Sequence, residues 1–139
     1  MLKILIASLL IVSTDLNQKM AKLTVEITNI RHPTGQLRVG VYKPSNTFGK
    51  AKPDYNKIVD VKAVGSQKVV LDVEPGTYAV ALYHDVNNNQ ALDKNMIGYP
   101  KEPFGFSNNY RPIVSGPDFK DCAFEISEAG KTISIKLIK

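Results

Sequence analysis

This chain is poor in the residues that most often build catalytic or metal chemistry. Cys122 is the only cysteine, so no internal disulfide can form, and its neighbours Ala123 and Phe124 mark it as a packed core thiol rather than a nucleophile. The two histidines, His32 and His84, lie far apart and form no cluster at zinc-ligand spacing. No serine or cysteine sits in an elbow or triad motif, and no glycine-rich phosphate loop is present. Arginine is confined to Arg31, Arg38 and Arg111, and the lysines are scattered from Lys22 to Lys139, so the net charge of +5 reads as a solvated surface. A nucleic-acid binder would cluster its positive charge, and nucleic acid is therefore not expected as a partner. Long helical periodicity is missing as well.

What is present at the N-terminus is a short apolar run. Ile4 to Val12 follows Met1 and Lys3 and precedes a polar DLNQK exit. At about nine residues it has the length of a signal-peptide core and is too short to span a bilayer. We expect residues 1–20 to be a signal peptide, with the mature start between Thr14 and Lys22, and residues 21–139 to form a single domain. The cleavage motif is weak, because Lys19 stands where a small residue is wanted before Ala21. Removing residues 1–20 takes away Lys3, Lys19 and Asp15 and leaves a charge of about +4. No cysteine lies near the N-terminus to carry a lipid anchor. The expected location is the periplasm or the extracellular space, with the membrane involved only through export.

Alternation with period two recurs between turn signals. Leu23, Val25 and Ile27 alternate with polar residues; the HPTG turn (His32 to Gly35) leads into Leu37, Val39 and Val41, and these two segments look like a hairpin. Val59, Val61 and Ala63 suggest a third strand, Val69, Leu71 and Val73 a fourth, and Thr77 to His84 a fifth. Cys122 to Ile126 and Ile133 to Leu137 complete the set. Seven short antiparallel strands without helices predict an all-β, seven-stranded Greek-key β-sandwich of immunoglobulin-like character. Tyr78, just after the Pro75–Gly76 turn, suits a tyrosine corner, in which the hydroxyl ties a crossover to upstream backbone.

The segment from Asp85 to about Asp121 is longer than structureless loops usually are in compact domains, and such loops are commonly functional. Its apolar content argues that it is ordered and packs on the sandwich. Asp85, Asn87, Asn89 and Asp93 fall at relative positions 1, 3, 5 and 9, a spacing that aims side-chain oxygens at one hard cation, so calcium is the expected ion. A carbonyl near Ala91, water and Glu102 would complete the shell. Gln90 replaces the glycine and Met96 the bidentate glutamate of an EF-hand, and no helices flank the loop, so the expectation is a looser and weaker site. The competing reading is an Asx-rich turn without metal. His84 is expected at the strand rim, bonded to a neighbouring loop.

The second half of the loop, GYPKEPFGFSNNYRP, combines Pro100 and Pro103 with Tyr99, Phe104, Phe106 and Tyr110. That composition serves binding or self-packing. His84, Tyr99, Glu102, Phe104, Phe106 and Asn108 are the candidate contacts for a ligand or partner, with Asn108 and Asn109 able to face a carbohydrate. Paired carboxylates, Asp85 with Asp93 or Asp93 with Glu102, admit a carbohydrate hydrolase as an alternative, although spacing within one loop does not establish the separation such chemistry needs.

PGTYAVALYHDVNNNQALDKNMIGYPKEPFGFSNN, followed by GPDFKDCAFEI and a final ISIKL strand, resembles the bacterial secreted family catalogued as domain of unknown function 2141. The resemblance runs from Leu23 to Leu137. It implies export and a transthyretin-like or carboxypeptidase-regulatory-like β-sandwich, and it implies no reaction. Many members carry a glycine after the D-x-N-x-N run, where this chain has Gln90. The expected function is an exported, non-catalytic binding or accessory module of the cell envelope that meets an envelope protein or a glycan. A purely structural envelope protein is a further alternative.

Overall fold

The computed structural model describes residues 17–139, and the apolar run Ile4 to Val12 lies outside the described residues. The described chain is mostly β, in two sheets. Its strands are β1 (Ala21–Ile30), β2 (Gln36–Tyr42), β3 (Tyr55–Asp60), β4 (Gly65–Val73), β5 (Gly76–Asp85), β6 (Phe104–Phe106), β7 (Phe124–Ile126) and β8 (Lys131–Lys136). One sheet has the order β4-β1-β8; the other runs β3-β2-β5-β6, with β7 pairing separately to β5.

The alternation read from sequence reappears as burial. Leu23, Val25 and Ile27 of β1, Val69, Leu71 and Val73 of β4 and Ile135 of β8 share one cluster with Leu37, Val39 and Val41 of β2 and Tyr78, Val80 and Leu82 of β5. Each large aliphatic side chain fully removed from water contributes about 1.5–3 kcal/mol, so this shared layer dominates the cohesion of the sheets. β5 is covered on its other face too. Ala79, with Phe48 and Cys122, forms a second cluster against which Tyr42, Ala81, Phe106, Tyr110 and Phe119 pack. Alanine at positions 79 and 81 leaves room for those aromatics to lie close over the sheet.

Five sequence expectations are revised. Helix is not wholly absent, since Phe119–Cys122 forms one helical turn, and the strand expected from Cys122 starts at Phe124. β1 and β2 are not a hairpin: β1 pairs with β4 and β8, while β2 pairs with β3 and β5. Their apolar faces meet across the core instead of side by side, and the break in register between Ile27 and Ile30, with Asn29 at φ 64°, lets the chain leave the sheet. The β1–β8 pairing is parallel, so the strands are not all antiparallel. The third strand begins at Tyr55 and ends at Asp60, because its partner β2 sets the register from Val41–Tyr55 to Gln36–Asp60; Ala63 is exposed beyond it. Finally, eight strands are present among the described residues rather than seven. Phe104–Phe106 pairs with Ala81–Tyr83, and three residues are too few to display alternation.

Tyr78 behaves as its position suggests. Its hydroxyl donates to the Glu74 carbonyl at 2.6 Å, while the Tyr55 hydroxyl accepts from the Glu74 amide at 3.3 Å. Burial, and then the neighbouring Tyr55 hydroxyl, push the Tyr78 pKa far above the usual phenol value. The FSNN segment is another clamp. The Ser107 hydroxyl accepts from the Val80 amide at 2.9 Å and donates to the Cys122 carbonyl at 2.5 Å. Asn108 and Asn109 take left-handed backbone, which asparagine tolerates better than most residues. The Asn108 amide donates to the Asp121 and Ala123 carbonyls, and Asn109 Oδ1 accepts from the Lys136 amide at 2.9 Å.

Candidate functional site

β5 ends in two fully buried polar residues, His84 and Asp85. The His84 ring lies 2.6 Å from the Thr34 carbonyl through Nε2, which must therefore carry the proton and donate it; Nδ1 has no hydrogen-bond partner. The expected bond to a neighbouring loop is present, but the ring is enclosed rather than at an open rim. Gly35, at φ 83°, brings that loop so close that any Cβ there would collide with the Asp85 carbonyl oxygen.

The buried Asp85 carboxylate is held from three directions. Arg38 Nε approaches Oδ2 at 3.2 Å, the Gln90 amide donates to Oδ2 at 2.9 Å, and the Asn89 amide donates to Oδ1 at 3.2 Å. Arg38 faces Tyr83 in the β2–β5 register and reaches diagonally to Asp85, two residues on. Sequence reasoning missed this partner, since 47 positions separate the two residues and nothing in β2 marks Arg38 apart from its being one of three arginines. Burying a carboxylate is costly unless it is paired and hydrogen-bonded, and here it is both.

Asn87, Asn89 and Asp93 come together above Asp85, as their spacing suggested. Asn87 Nδ2 donates to Asp93 Oδ2 at 2.9 Å, and Asn89 Nδ2 donates to both Asp93 oxygens, at 2.8 and 3.0 Å. These amide donors pull the Asp93 pKa below the ordinary carboxylate value. Asn87 Oδ1 accepts from the Asn89 amide, and Asn89 Oδ1 accepts from the Ala91 amide. Asn88 and Gln90 are left-handed, at φ 55° and 64°, so Gln90 occupies a conformation suited to glycine.

Glu102 belongs to the same group. Only 6% exposed, it accepts from the Asp93 amide through Oε2 at 3.3 Å, while Oε1 has no partner of hydrogen-bonding geometry. Burial raises its pKa, the negative charges of Asp93 and Asp85 add to the rise, and the amides of Asp93 and Val86 oppose it. Among the described residues, no three His, Cys, Asp or Glu side chains gather closely enough to hold a metal by themselves. A cation here would need asparagine oxygens and backbone carbonyls besides the acids, a donor set that suits a hard ion. The unpartnered Glu102 oxygen fits such an ion. The amides that face Asp93 would have to turn their oxygens inward.

The aromatic half of the segment builds a different feature. A cleft of about 970 Å³ opens between residues 45–50, 92–100 and 112–120. Edge-to-face contacts run along its floor, with ring centroids 5.6 Å apart for Tyr99–Phe104, 5.9 Å for Phe104–Phe106 and 6.1 Å for both Phe48–Phe106 and Phe48–Phe119. Tyr99, Phe104 and Phe106 thus line this cleft, whereas His84 and Glu102 belong to the charged group and Asn108 is engaged with backbone carbonyls. The contributions of Phe48, Lys50 and Lys94 to the cleft were not foreseen. The apolar pairs Met96–Ile97 and Ile113–Val114, set within polar loop sequence, were the available signal.

Both features lie within one continuous stretch of similarity, since residues 25–134 match the model of a family described as an uncharacterized protein conserved in bacteria, DUF2141. The chain belongs to the DUF2141 family. No curated protein and no solved structure matches it. The DUF2141 match runs from within β1 to within β8, and so includes the Asp85–Asp93 loop, Glu102 and the aromatic floor.

Proposed function

We propose that this DUF2141 chain is an exported, non-catalytic binding module of the cell envelope whose Asp85–Asp93 loop takes up calcium weakly. The observation that carries the ion is Glu102, a buried carboxylate with one unpartnered oxygen beside two other acids. A divalent cation would supply the missing partner and cancel the repulsion. Asp85, Asn87, Asn89 and Asp93, with Glu102 and a carbonyl near Ala91, would be its ligands, the three acids, which do not gather closely enough without it, drawing in around the ion. Three carboxylates and the strained Gln90 suit the weak end of the calcium range, with dissociation constants on the order of 10⁻⁴–10⁻³ M. Calcium's part would be electrostatic, drawing the loop onto the end of β5.

The fold we infer is a Greek-key sandwich akin to transthyretin-like or carboxypeptidase-regulatory-like domains. Support comes from the way successive strands change sheets, β1 to β2, β3 to β4, β4 to β5 and β7 to β8, around one shared core. Export rests on the N-terminal apolar run and its flanks. A non-catalytic role is favoured over a carbohydrate hydrolase because Asp85, Asp93, Glu102 and His84 do not line the aromatic cleft, where Asp118 is the one acid among the described residues, so no pair of carboxylates converges on a substrate there. The partner would be an envelope protein or a glycan.

Thermal unfolding of the purified protein with and without calcium tests the ion. At those dissociation constants calcium at about 10 mM, ten to one hundred times the constant, stabilises the native state by about 1.4–2.7 kcal/mol, and a rise in Tm that magnesium does not reproduce is expected. No rise at millimolar calcium, together with unchanged behaviour after Asp85→Ala and Asp93→Ala, would leave the segment as a metal-free Asx-rich turn.

A further inference from the structure

Two loop tips on either side of the aromatic cleft carry large apolar side chains that the fold does not use. Residues 95–98 form a tight turn: the Gly98 amide donates to the Asn95 carbonyl at 3.0 Å with Gly98 at φ 83°, and Asn95 Oδ1 accepts from the Ile97 and Tyr99 amides, each at 3.0 Å. An isolated bridge between Lys94 and Pro100 closes its base. Corner positions of such turns normally carry Gly, Asn, Asp, Ser or Pro. Here they carry Met96 and Ile97, 103% and 88% exposed. Across the cleft, Ile113 and Val114 are 93% and 96% exposed between Pro112 and Pro117. Single exposed aliphatics are unremarkable, but three almost fully exposed ones, Ile97, Ile113 and Val114, on the two tips that edge one cleft mark an interaction site.

From this geometry we infer that the two tips insert into the interfacial layer of an anionic lipid bilayer. Ile97, Ile113 and Val114 edge the cleft yet present most of their surface to solvent, so a small molecule held between them would cover them only in part. A bilayer interface is an apolar phase that accepts two separate tips at once. Charge favours the same partner. Lys50, Lys94 and Lys120 line the space between the tips against a single acid, Asp118, and lysines held near a negatively charged leaflet add attraction that falls off within a Debye length. The contact is peripheral and departs from the expectation that the membrane matters only for export. It goes beyond the binding-module reading and holds whether or not the Asp85–Asp93 loop takes up calcium.

Sedimentation of the purified protein with lipid vesicles tests the inference. Vesicles of phosphatidylcholine alone are compared with vesicles containing phosphatidylglycerol, at low and high salt, with chelator and with calcium. The protein is expected to pellet with the anionic vesicles in chelator, and about tenfold less with the neutral ones. The triple variant Ile97→Ser, Ile113→Ser, Val114→Ser should lower the binding at least about tenfold with unchanged Tm, since these side chains touch little of the fold. Lys94→Gln and Lys120→Gln should each lower it about fivefold at low salt. Failure to pellet with either vesicle, binding that the triple variant leaves intact, or loss of a dimer rather than of vesicle binding in that variant would overturn the inference. Binding in chelator separates this outcome from any failure of the calcium reading.

Discussion

Replacing Glu102 by glutamine gives a test in which the sign of the effect depends on calcium. Without the ion, the wild-type carboxylate is buried with one unpartnered oxygen, and its remaining hydrogen bond, from the Asp93 amide, is long at 3.3 Å. A buried acceptor left unsatisfied costs about 1–3 kcal/mol, and more if charged. Glu102→Gln keeps an oxygen for the Asp93 amide, removes the charge that Asp93 and Asp85 repel, and places an NH₂ donor on the acidic side. We expect the variant to be more stable than wild type in chelator by about 1 kcal/mol, or about 4 °C in Tm for a domain of this size. With calcium the order should reverse. Loss of a charged ligand should weaken binding about tenfold or more, which is about 1.4 kcal/mol at saturating ion.

The pH dependence carries the same signature. The folded pKa of Glu102 is raised above its unfolded value of about 4.3, so its contribution to stability is present below that value and is lost as pH rises through the folded pKa. Asp93 is shifted the other way. Its contribution is present above about 3.9 and is lost as pH falls through its lowered folded pKa. Ion-free wild type should therefore gain stability on mild acidification before losing it at lower pH, and Glu102→Gln should show only the loss. Differential scanning fluorimetry across pH, in chelator and in calcium, reads all four curves. A variant that is destabilised in chelator, or that keeps the full calcium shift, would refute the reasoning.

Two further outcomes follow from local geometry. Gln90→Gly should stabilise the protein by about 0.5–1 kcal/mol in urea unfolding, because the left-handed backbone costs a side-chain-bearing residue about 1–2 kcal/mol and glycine's greater unfolded-state freedom returns only part of that gain; a loss of stability would mean that the Gln90 side chain does more than occupy the turn. The Cys122 thiol is fully buried, and desolvation, helped by Asp121, pushes its pKa up to about 12. It should react with a disulfide reagent only when the domain unfolds, and rapid labelling of the native protein at neutral pH would contradict its place in the core.

Much of the fold was legible before any coordinates, because alternation reports which side of a strand faces away from water. The inward sets of β1, β2, β4 and β5 came from that pattern, the role of Tyr78 from its place after the Pro75–Gly76 turn, and the packing of Cys122 from its apolar neighbours. The gathering of Asp85, Asn87, Asn89 and Asp93 was legible too, since a nine-residue loop leaves its alternate side chains few other places to go.

Strand partners were not legible. Every strand offers the same backbone N–H and C=O groups, so nothing in the residues of β1 distinguishes pairing with β2 from pairing with β4 and β8. β6 was too short to carry a period, and its place beside β5 follows from the covering aromatics. Tertiary structure alone brought Arg38 to Asp85, set Glu102 beside two acids with one oxygen unpartnered, and put Ile97 and Ile113–Val114 around one cleft. Hydrophobic pattern is a property of each segment and can be read locally. Charge pairing, desolvation and the exposure of a loop tip depend on which distant segments arrive, and those are decided only when the sheets close on their common core.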